Sequence, residues 1–259
     1  MCIGQPVGRG CANAHDDVLV VQVLLNLNRP ASLPRIGMDG GYGNETGRAI
    51  DEFQARAMGQ ATPDGRVDPG GQTLVALRAG VPAGALDTMK LRGIMPAATP
   101  EHIARYLPHL VSGMAERRID TPLRQAHFTA QLAHESGAFI YAEELADGSA
   151  YNGRQDLGNT QPGDGPRFKG RGLIQLTGRA NYAAYGTAIG RDLLADPTPV
   201  ATDPALAVDV ACWFWQTHGL NAFADADDVE TVTRRINGGL RGFEERKAYL
   251  RRAKFFLGL

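Results

Sequence analysis

The uneven distribution of glycine constrains this chain more than any other feature of its sequence. Of the 32 glycines in 259 residues, fourteen lie in residues 1–85 and eleven in residues 137–190, while only seven lie elsewhere. Glycine adopts positive φ at no steric cost, so it gathers at tight turns and where backbone approaches another molecule. The distribution predicts a small turn-rich module, followed by a larger domain with one irregular glycine-rich segment.

Composition and charge exclude several kinds of protein. The chain holds 27 Lys and Arg against 28 Asp and Glu, a net charge of -1, whereas general nucleic-acid binding needs a basic surplus. Its three cysteines form no disulfide framework and lack the spacing of a zinc site, so we expect neither a metal nor another cofactor. No apolar run approaches the roughly 18 residues of a membrane span. The first ten residues lack the apolar core of a signal peptide, so we expect synthesis in the cytosol without stable membrane association.

The N-terminal module contains the same short pattern twice. Asp39-Gly40 is followed by Thr46 and Asp64-Gly65 by Thr73, and each threonine precedes apolar residues at helical spacing. Asp-Gly is a turn sequence, and a polar residue after such a turn is typical of a helix N-cap. Together with an earlier apolar helix, the pattern predicts three short helices over residues 14–80. The module has few apolar residues and no obvious nucleophile, which indicates binding rather than catalysis.

The rest of the chain is predicted to be mainly α-helical, because apolar residues recur at helical spacing while strand signals are weak. Helix starts are predicted at Thr99-Pro100, Thr121-Pro122, Asp203-Pro204, Asp227 or Asp228, and Phe243. A proline at the first helical position suits a helix start, since its missing N–H has no partner there. The predicted fold class is therefore mainly α, with a small three-helix domain (1–82), a linker (83–98) and a larger α-helical domain (99–259).

Two glutamates are candidates for chemistry. Glu135 ends the helix that starts near residue 121, and Glu144 follows nine residues later. His134-Glu135 begins like the H-E-x-x-H motif of zinc proteases, but residue 138 is alanine, so the second histidine ligand is missing. A helix C-terminus and burial both disfavour the charged form of a carboxylate, which suits a general acid. Two carboxylates in separate environments are the minimum for hydrolysis of a glycosidic bond, although acidic pairs on solvated helices are common.

A segment rich in glycine, proline and basic residues follows at 158–178. Such a composition does not build a core, but it provides backbone surface that can lie close to an extended polar ligand. Gln175 and Thr177 supply an amide and a hydroxyl where the segment ends. We expect Gly170 and Gly172 to border the groove in which such a ligand lies.

Taken together, these motifs resemble glycoside hydrolase family 19, which includes chitinases and related phage endolysins. The resemblance rests on four pieces in a fixed order: His134-Glu135-Ser136-Gly137, a second glutamate, the run from Phe168 to Tyr182, and Ile236-Asn237-Gly238-Gly239. The run F-K-G-R-G-L-I-Q-L-T-G-R-x-N-Y is the most specific of them. The resemblance implies a lysozyme-like, α-helical catalytic domain.

The N-terminal module resembles the peptidoglycan-binding domain common in cell-wall hydrolases. The matching pieces are Leu24-Leu25-Asn26, the first Asp-Gly turn up to Thr46, Phe53-Gln54, and the second Asp-Gly turn up to Leu77. The second half departs from the family pattern, because Asp68 stands where the first half has Gly43 and two residues are inserted before the threonine. The resemblance implies that the wall-binding residues include Asp39, Gly40, Tyr42 and Asp64.

The family resemblance also implies roles for the residues of the larger domain. Glu135 matches the general acid, Glu144 the general base, and Thr177 the residue that helps to hold the attacking water. The adjacent Glu143 is rejected as the base on register. The predicted substrate-binding residues are Gln175, Asn181, Asn237, Arg246, Tyr182, Lys169 and Gly170. Arg246 also matches an arginine near the acid that can tune its ionisation. Plant chitinases carry a glutamate after Asn-Gly-Gly where this chain has Leu240-Arg241-Gly242, so the charges around the acid must differ.

The resemblance implies a monomeric endolysin of lysozyme type that binds bacterial peptidoglycan and causes lysis of the host cell. It would hydrolyse the β-1,4 bond between N-acetylmuramic acid and N-acetylglucosamine with inversion, which places the two carboxyls about 6.5–9.5 Å apart. It would be made in the host cytoplasm and reach the wall after the membrane is permeabilised. Three alternatives stay open: a chitinase, a wall peptidase or amidase, and a wall-binding protein without activity.

Overall fold

The computed structural model describes residues 2–259, which divide into two compact units. The first unit contains residues 2–100 together with 247–259, and the second contains Glu101–Arg246. The prediction of a mainly α-helical chain is confirmed. In chain order the elements are β1 (Val7–Gly8), α1 (His15–Asn28), α2 (Asn44–Met58), β2 (Arg66–Val67), α3 (Gln72–Ala79), α4 (Thr88–Ile94), α5 (Pro100–Glu116), α6 (Pro122–Glu135), α7 (Asp164–Arg167), α8 (Arg179–Ile189), α9 (Pro199–Thr202), α10 (Pro204–Thr217), α11 (Leu220–Asp225), α12 (Val229–Asn237) and α13 (Phe243–Phe256). None of the helices within residues 2–259 is both long and apolar enough to cross a lipid bilayer.

Helix α1 is the centre of the first unit. All of its residues from 18 to 25 are buried, and it packs against α2, α3 and α4. The strands β1 and β2 pair in antiparallel fashion beside it. At Gly8 in β1, a Cβ would overlap with the carbonyl oxygen of Gly65, so glycine allows the backbones to approach this closely.

The first unit differs from the predicted three-helix module in two places. The predicted linker, residues 83–98, contains α4, whose Leu91 and Ile94 are buried in this unit. Residues 247–259, predicted to belong to the larger domain, also lie in this unit, where Phe256 packs against Gly93 of α4. The apolar side chains of the last helix are covered by residues distant in sequence, which the periodicity of one segment cannot reveal.

Helix α6 provides the core helix of the second unit. Its residues from 126 to 133 are all buried. The predicted helix starts at Thr121, Asp203 and Asp228 are confirmed, because each side chain accepts a hydrogen bond from the first turn of α6, α10 and α12 respectively. The buried helix α6 ends at Glu135, so its C-terminal residue carries one of the two candidate carboxylates out of the core.

Candidate active site

The carboxylate of Glu135 is held by a buried arginine. Glu135 is the last residue of α6, and 16% of its side chain is exposed. Arg246, which is fully buried, donates from Nη2 to Glu135 Oε1 at 2.5 Å. The same guanidinium donates from Nη1 to Gln131 Oε1 at 2.5 Å and from Nε to the carbonyl oxygen of Arg241 at 3.1 Å. A charge-assisted bond from a guanidinium anchored at three points gives the Glu135 carboxylate a defined orientation.

The sequence prediction does not include Gln131, which also accepts a hydrogen bond from this arginine. Gln131 is fully buried one turn before Glu135, and its Nε2 donates to Thr233 Oγ1 at 3.2 Å. The Thr233 hydroxyl in turn donates to the carbonyl oxygen of Val229 at 2.8 Å. A polar residue four positions before the acid lies on the same face of the helix, and this spacing is the signal that identifies Gln131.

The chain reverses sharply after Glu135. Gly137, Ala138 and Phe139 all have positive φ, at 55°, 58° and 68°. The Ser136 hydroxyl stabilises the reversal, because it donates to a carbonyl oxygen of α6 at 2.6 Å and accepts from the Phe139 N–H at 2.9 Å. Left-handed backbone at a non-glycine residue costs of order 1–3 kcal/mol, so the surrounding structure must hold it in place. As a result, residues 142–144 run alongside residues 170–172 and exchange backbone hydrogen bonds with them.

The second carboxylate, Glu144, is held by neutral donors. Tyr151 donates its hydroxyl to Glu144 Oε1 at 2.9 Å, and the Gly170 N–H donates to Oε2 at 3.2 Å. Burial and the bond to Glu144 raise the pKa of Tyr151, so its hydroxyl stays protonated and remains the donor at neutral pH. A Cβ at residue 170 would lie 3.3 Å from Glu144 Oε2, so the glycine is what lets the backbone approach.

The adjacent Glu143 has a different environment. Its Oε1 accepts from Arg171 Nε at 2.9 Å and lies 3.6 Å from Lys169 Nζ. The Arg171 side chain is almost fully buried, and it also donates to a backbone carbonyl at 2.8 Å. Glu143 is thus occupied in an ion pair that ties two backbone segments together, which supports the choice of Glu144 as the base.

Three of the predicted site residues lie together at the end of the glycine-rich segment. Gln175 Nε2 donates to the Gly172 carbonyl oxygen at 3.0 Å, and its Oε1 lies next to Gly170, which adjoins Glu144. Thr177 Oγ1 donates to the Gln175 carbonyl oxygen at 2.9 Å, and Asn181 Nδ2 donates to the Thr177 carbonyl oxygen at 2.7 Å. All three side chains are half-buried, so each keeps surface for a ligand.

Three other predicted groove residues lie behind the site. Tyr182 has no exposed surface, its hydroxyl donates to a backbone carbonyl at 2.8 Å, and burial raises its pKa to about 12. Arg246 is equally buried and contacts Glu135, so it positions the acid. Gly172 packs against α10, where a Cβ would overlap with Val210. Tyr182 and Arg246 therefore support the site from within the protein, and their contact with a sugar, like the position of Gly172 at the groove, stays a prediction.

Lys169 and Asn237, also predicted to bind substrate, have partners within the protein. Lys169 Nζ donates to the carbonyl oxygens of Glu144 at 3.0 Å and Ala146 at 3.4 Å. Asn237 Oδ1 accepts from the Gly239 N–H at 2.9 Å. Both side chains order their own loops, and their contact with a sugar stays a prediction.

The predicted wall-binding aspartates lie in the first unit and hold its turns. Asp39 Oδ1 accepts from Gln22 Nε2 at 2.9 Å, and Asp64 Oδ1 accepts from Gln54 Nε2 at 2.6 Å. The hydrogen bonds from these amides lower the pKa of both carboxyls. The bonds give the two aspartates a structural role in their turns, and any contact with the wall stays a prediction.

Gly40 and Tyr42 follow the first of these aspartates. Gly40 has a φ of 73° and lies against the His15 ring, where a Cβ would meet Nε2 at 2.5 Å. Tyr42 is half-buried and lines a surface cavity of 420 Å³. Tyr42 is thus a predicted wall-binding residue that lines a space open to a ligand.

The two carboxylates have the separate environments that acid–base hydrolysis uses. Glu135 lies beside a cation, whereas Glu144 accepts from a phenol and a backbone N–H. In an inverting glycosidase one carboxyl protonates the leaving oxygen while the other removes a proton from water. In the part of the chain that the structure describes, no three His, Cys, Asp or Glu side chains are grouped so that they could hold a metal ion.

Comparison with known proteins assigns this arrangement to a family. The profile of the family described as Chitinase class I matches residues 124–234, which include both carboxylates and the glycine-rich segment. A glycosyl hydrolase family 19 domain-containing protein of Haemophilus influenzae is 35% identical over 181 residues, which are 55% of this chain and 88% of that protein. An endochitinase of Arabidopsis thaliana is 41% identical over 114 residues, which are 44% of this chain and 39% of the plant protein. The chain therefore spans about two fifths of the length of this plant relative.

The solved structures agree with the sequence matches. Chitinase C from Streptomyces griseus has a TM-score of 0.56 at 25% sequence identity, with 66% of this chain and 92% of that structure covered. A bacterial family 19 chitinase shares the same fold, with a TM-score of 0.54. The lysozyme-like, α-helical fold expected for the larger domain is therefore confirmed. Since most of the Haemophilus protein is covered at 35% identity, the chain belongs to glycoside hydrolase family 19.

Proposed function

We propose that this glycosidase is a peptidoglycan hydrolase that cleaves the β-1,4 bond between N-acetylmuramic acid and N-acetylglucosamine. The observation that carries the proposal is the first unit, whose two Asp-Gly turns are each held by a buried glutamine. Its sequence resembles the peptidoglycan-binding domain of wall hydrolases. A binding unit raises the effective concentration of an attached catalytic unit at a polymeric substrate.

In the proposed mechanism, Glu135 donates its proton to the leaving glycosidic oxygen. Glu144 accepts a proton from the attacking water, and Thr177 helps to orient that water. Attack on the face opposite the leaving group inverts the anomeric centre. Arg246 keeps the Glu135 carboxyl in one orientation, while Tyr151 and the Gly170 N–H do the same for Glu144.

A cation close to the acid supports an anionic substrate over chitin. The Arg241 carbonyl oxygen accepts from Arg246, which contacts Glu135, whereas the exposed Arg241 guanidinium has no hydrogen-bond or ion-pair partner among residues 2–259. Its charge also opposes the rise in the pKa of Tyr151, the residue that donates to Glu144. Chitin is uncharged, whereas the peptide stems attached to the muramic acid units of peptidoglycan carry carboxylates, so an unpaired guanidinium near the groove favours the wall polymer.

The main alternative is a chitinase, since several of the similar proteins are endochitinases. The same pair of carboxylates would cleave the β-1,4 bonds of chitin. The test incubates the protein with purified sacculi and with colloidal chitin and measures new reducing ends, with Glu135→Gln as the control. Mass spectrometry of the soluble products should show muropeptides with N-acetylmuramic acid at the reducing end. Cleavage of chitin with intact sacculi would overturn the proposal, and new amino termini would indicate a peptidase or amidase.

A further inference from the structure

The first unit carries two surface cavities on either side of the start of α2. Their volumes are 420 Å³ and 560 Å³, and Asn44 and Arg48 line both. Tyr42 lines the smaller one. We call the surface formed by Tyr42, Asn44 and Arg48 the Arg48 strip. It is distant in sequence from the carboxylates of the second unit and has no role in the reaction described above.

The polar side chains of the Arg48 strip have unused hydrogen-bonding capacity. Among residues 2–259, the Tyr42 hydroxyl, the Asn44 amide and the Arg48 guanidinium have no hydrogen-bond or ion-pair partner. Gly47 makes room for the tyrosine, since a Cβ there would lie 3.0 Å from the Tyr42 hydroxyl oxygen. Burial raises the pKa of Tyr42, so this hydroxyl is protonated and can donate.

The other cations of the two cavities are already paired with carboxylates. In the smaller cavity Arg9 donates to Asp51, and in the larger one Arg29 lies 3.2 Å from Glu52. Glu45 accepts from the Gly37 N–H at 3.1 Å. Among residues 2–259, Arg48 is thus the cation of these two cavities that has no carboxylate partner. The free groups are a guanidinium, a phenol and an amide, which offer mainly donors, and one buried acceptor, Asp51 Oδ1.

We propose that the Arg48 strip binds a carboxylate of the peptide stems of peptidoglycan, an inference that rests on the proposed function. A guanidinium presents two parallel N–H donors that match a carboxylate, and the Tyr42 and Asn44 side chains add further donors beside it. Peptide stems repeat along a glycan strand and carry carboxylates, whereas chitin carries none. The strip therefore recognises the wall by its peptide, while the second unit acts on the glycan.

The test measures binding separately from cleavage. Full-length protein carrying Glu135→Gln, which leaves the polymer intact, is sedimented with purified sacculi at increasing concentration. Adding Arg48→Gln should weaken binding about tenfold, as expected for a lost hydrogen-bonded charge. Tyr42→Phe should weaken it less. The matched control is Arg35→Gln, which removes an exposed arginine of the same unit outside both cavities and should leave binding unchanged.

Chemically modified walls identify the ligand. Sacculi whose carboxyls are coupled to a neutral amine should bind the parent protein as weakly as untreated sacculi bind Arg48→Gln. Equal binding to blocked and untreated sacculi would overturn the proposal, as would full binding by Arg48→Gln. Dependence on wall phosphate, tested with walls stripped of phosphate polymers, would also overturn it in favour of a different anion.

The outcomes of this test are distinct from those of the proposed function. If sacculi are not cleaved yet bind in an Arg48-dependent way, the assigned bond is wrong and the strip stands. If sacculi are cleaved and Arg48→Gln binds normally, the strip is wrong and the proposed reaction stands. Because Arg48 is exposed, the thermal unfolding of Arg48→Gln should match that of the parent, which excludes misfolding as the cause of weak binding.

Discussion

Buried glutamines organise both units of this protein, but they serve different purposes. In the first unit Gln22 and Gln54 hold the two Asp-Gly turns, and in the second unit Gln131 holds Arg246 beside the acid. The two turns use the same set of bonds, from the glutamine amide to an aspartate, a backbone carbonyl and a threonine hydroxyl. The partners are Asp39, Gly41 and Thr46 for Gln22, and Asp64, Arg66 and Thr73 for Gln54.

The two units differ in whether their hydrogen-bond networks leave a side chain exposed to solvent. In the first unit each glutamine makes its hydrogen bonds to one Asp-Gly turn and to the helix that follows that turn, so the network closes on itself. In the second unit, within residues 2–259, the Gln131 side chain makes its hydrogen bonds to Arg246 and Thr233, and the Glu135 carboxylate beyond Arg246 remains partly exposed. A closed network stabilises a fold, whereas an open one orients a group for chemistry. Four predictions test this distinction, from the largest expected effect to the smallest.

Glu135→Gln should lower the rate of glycan cleavage by about 10²–10⁴-fold, the usual contribution of a general acid. The amide oxygen can still accept from Arg246, so the midpoint of thermal unfolding should stay within a degree or two of the parent. The rate is measured as release of reducing ends, and unfolding by calorimetry. Glu143→Gln is the neighbouring control and should retain most of the activity. Comparable activity in Glu135→Gln would remove this residue from the role of acid.

Gln54→Ala should destabilise the first unit by about 2–4 kcal/mol, because four hydrogen bonds are lost and buried partners are left unsatisfied. Gln22→Ala should have a similar effect, since its bonds are equivalent. Unfolding in denaturant, followed by far-ultraviolet circular dichroism, measures the stability of both variants. Short chitin or wall oligosaccharides, which do not need the binding unit, should still be cleaved at the parent rate wherever the protein is folded. If Gln22→Ala and Gln54→Ala lost very different amounts of stability, the two sets of hydrogen bonds would not be energetically equivalent.

Gln131→Ala should lower kcat by about tenfold, because Arg246 loses one of the three acceptors that fix its guanidinium. KM should change little, since Gln131 is buried and touches no substrate. Gln131→Glu keeps an acceptor for Arg246 and serves as the conservative variant, with partial recovery of kcat expected. A rise in KM at constant kcat would show that the network shapes the groove instead of orienting the acid.

Lowering the pH should destabilise the first unit through the two aspartates that its glutamines hold. The amides of Gln22 and Gln54 lower the pKa of Asp39 and Asp64 below the ordinary value of 3.8. A carboxyl with a lowered folded pKa contributes stability above its unfolded pKa and loses it as the pH falls through the folded value. Between about pH 6 and about pH 3, the parent should therefore lose more stability than Asp64→Asn. Thermal unfolding across this interval measures the effect, and equal slopes would contradict it.

The sequence predicts features that depend on neighbouring residues. The turns at Asp39 and Asp64 and the helix starts at Thr121 and Asp203 follow from two or three adjacent residues, and the structure has them where expected. The equivalence of Gln22 and Gln54 is missed, because Gln22 lies 17 residues before the aspartate that it holds. Local patterns indicate a turn, but they do not indicate which distant side chain forms hydrogen bonds with its polar groups.

The site shows the same limit. The resemblance brings Arg246 into the neighbourhood of the acid, and only the structure shows that it is buried and donates to Glu135. Tyr182 belongs to the same sequence motif as Gln175, yet it points into the core. Tyr151 carries no motif, although it donates to the second carboxylate. Exposure and pairing depend on the packing of several helices, and a single sequence contains no direct signal for them.

The first unit is built from two pieces of the chain, residues 2–100 and 247–259, whereas the second is a single continuous stretch, Glu101–Arg246. This arrangement sets an order of events during translation. All of the second unit is synthesised before residues 247–259, which complete the first. The first unit can therefore finish its packing only after the whole of the second has been made.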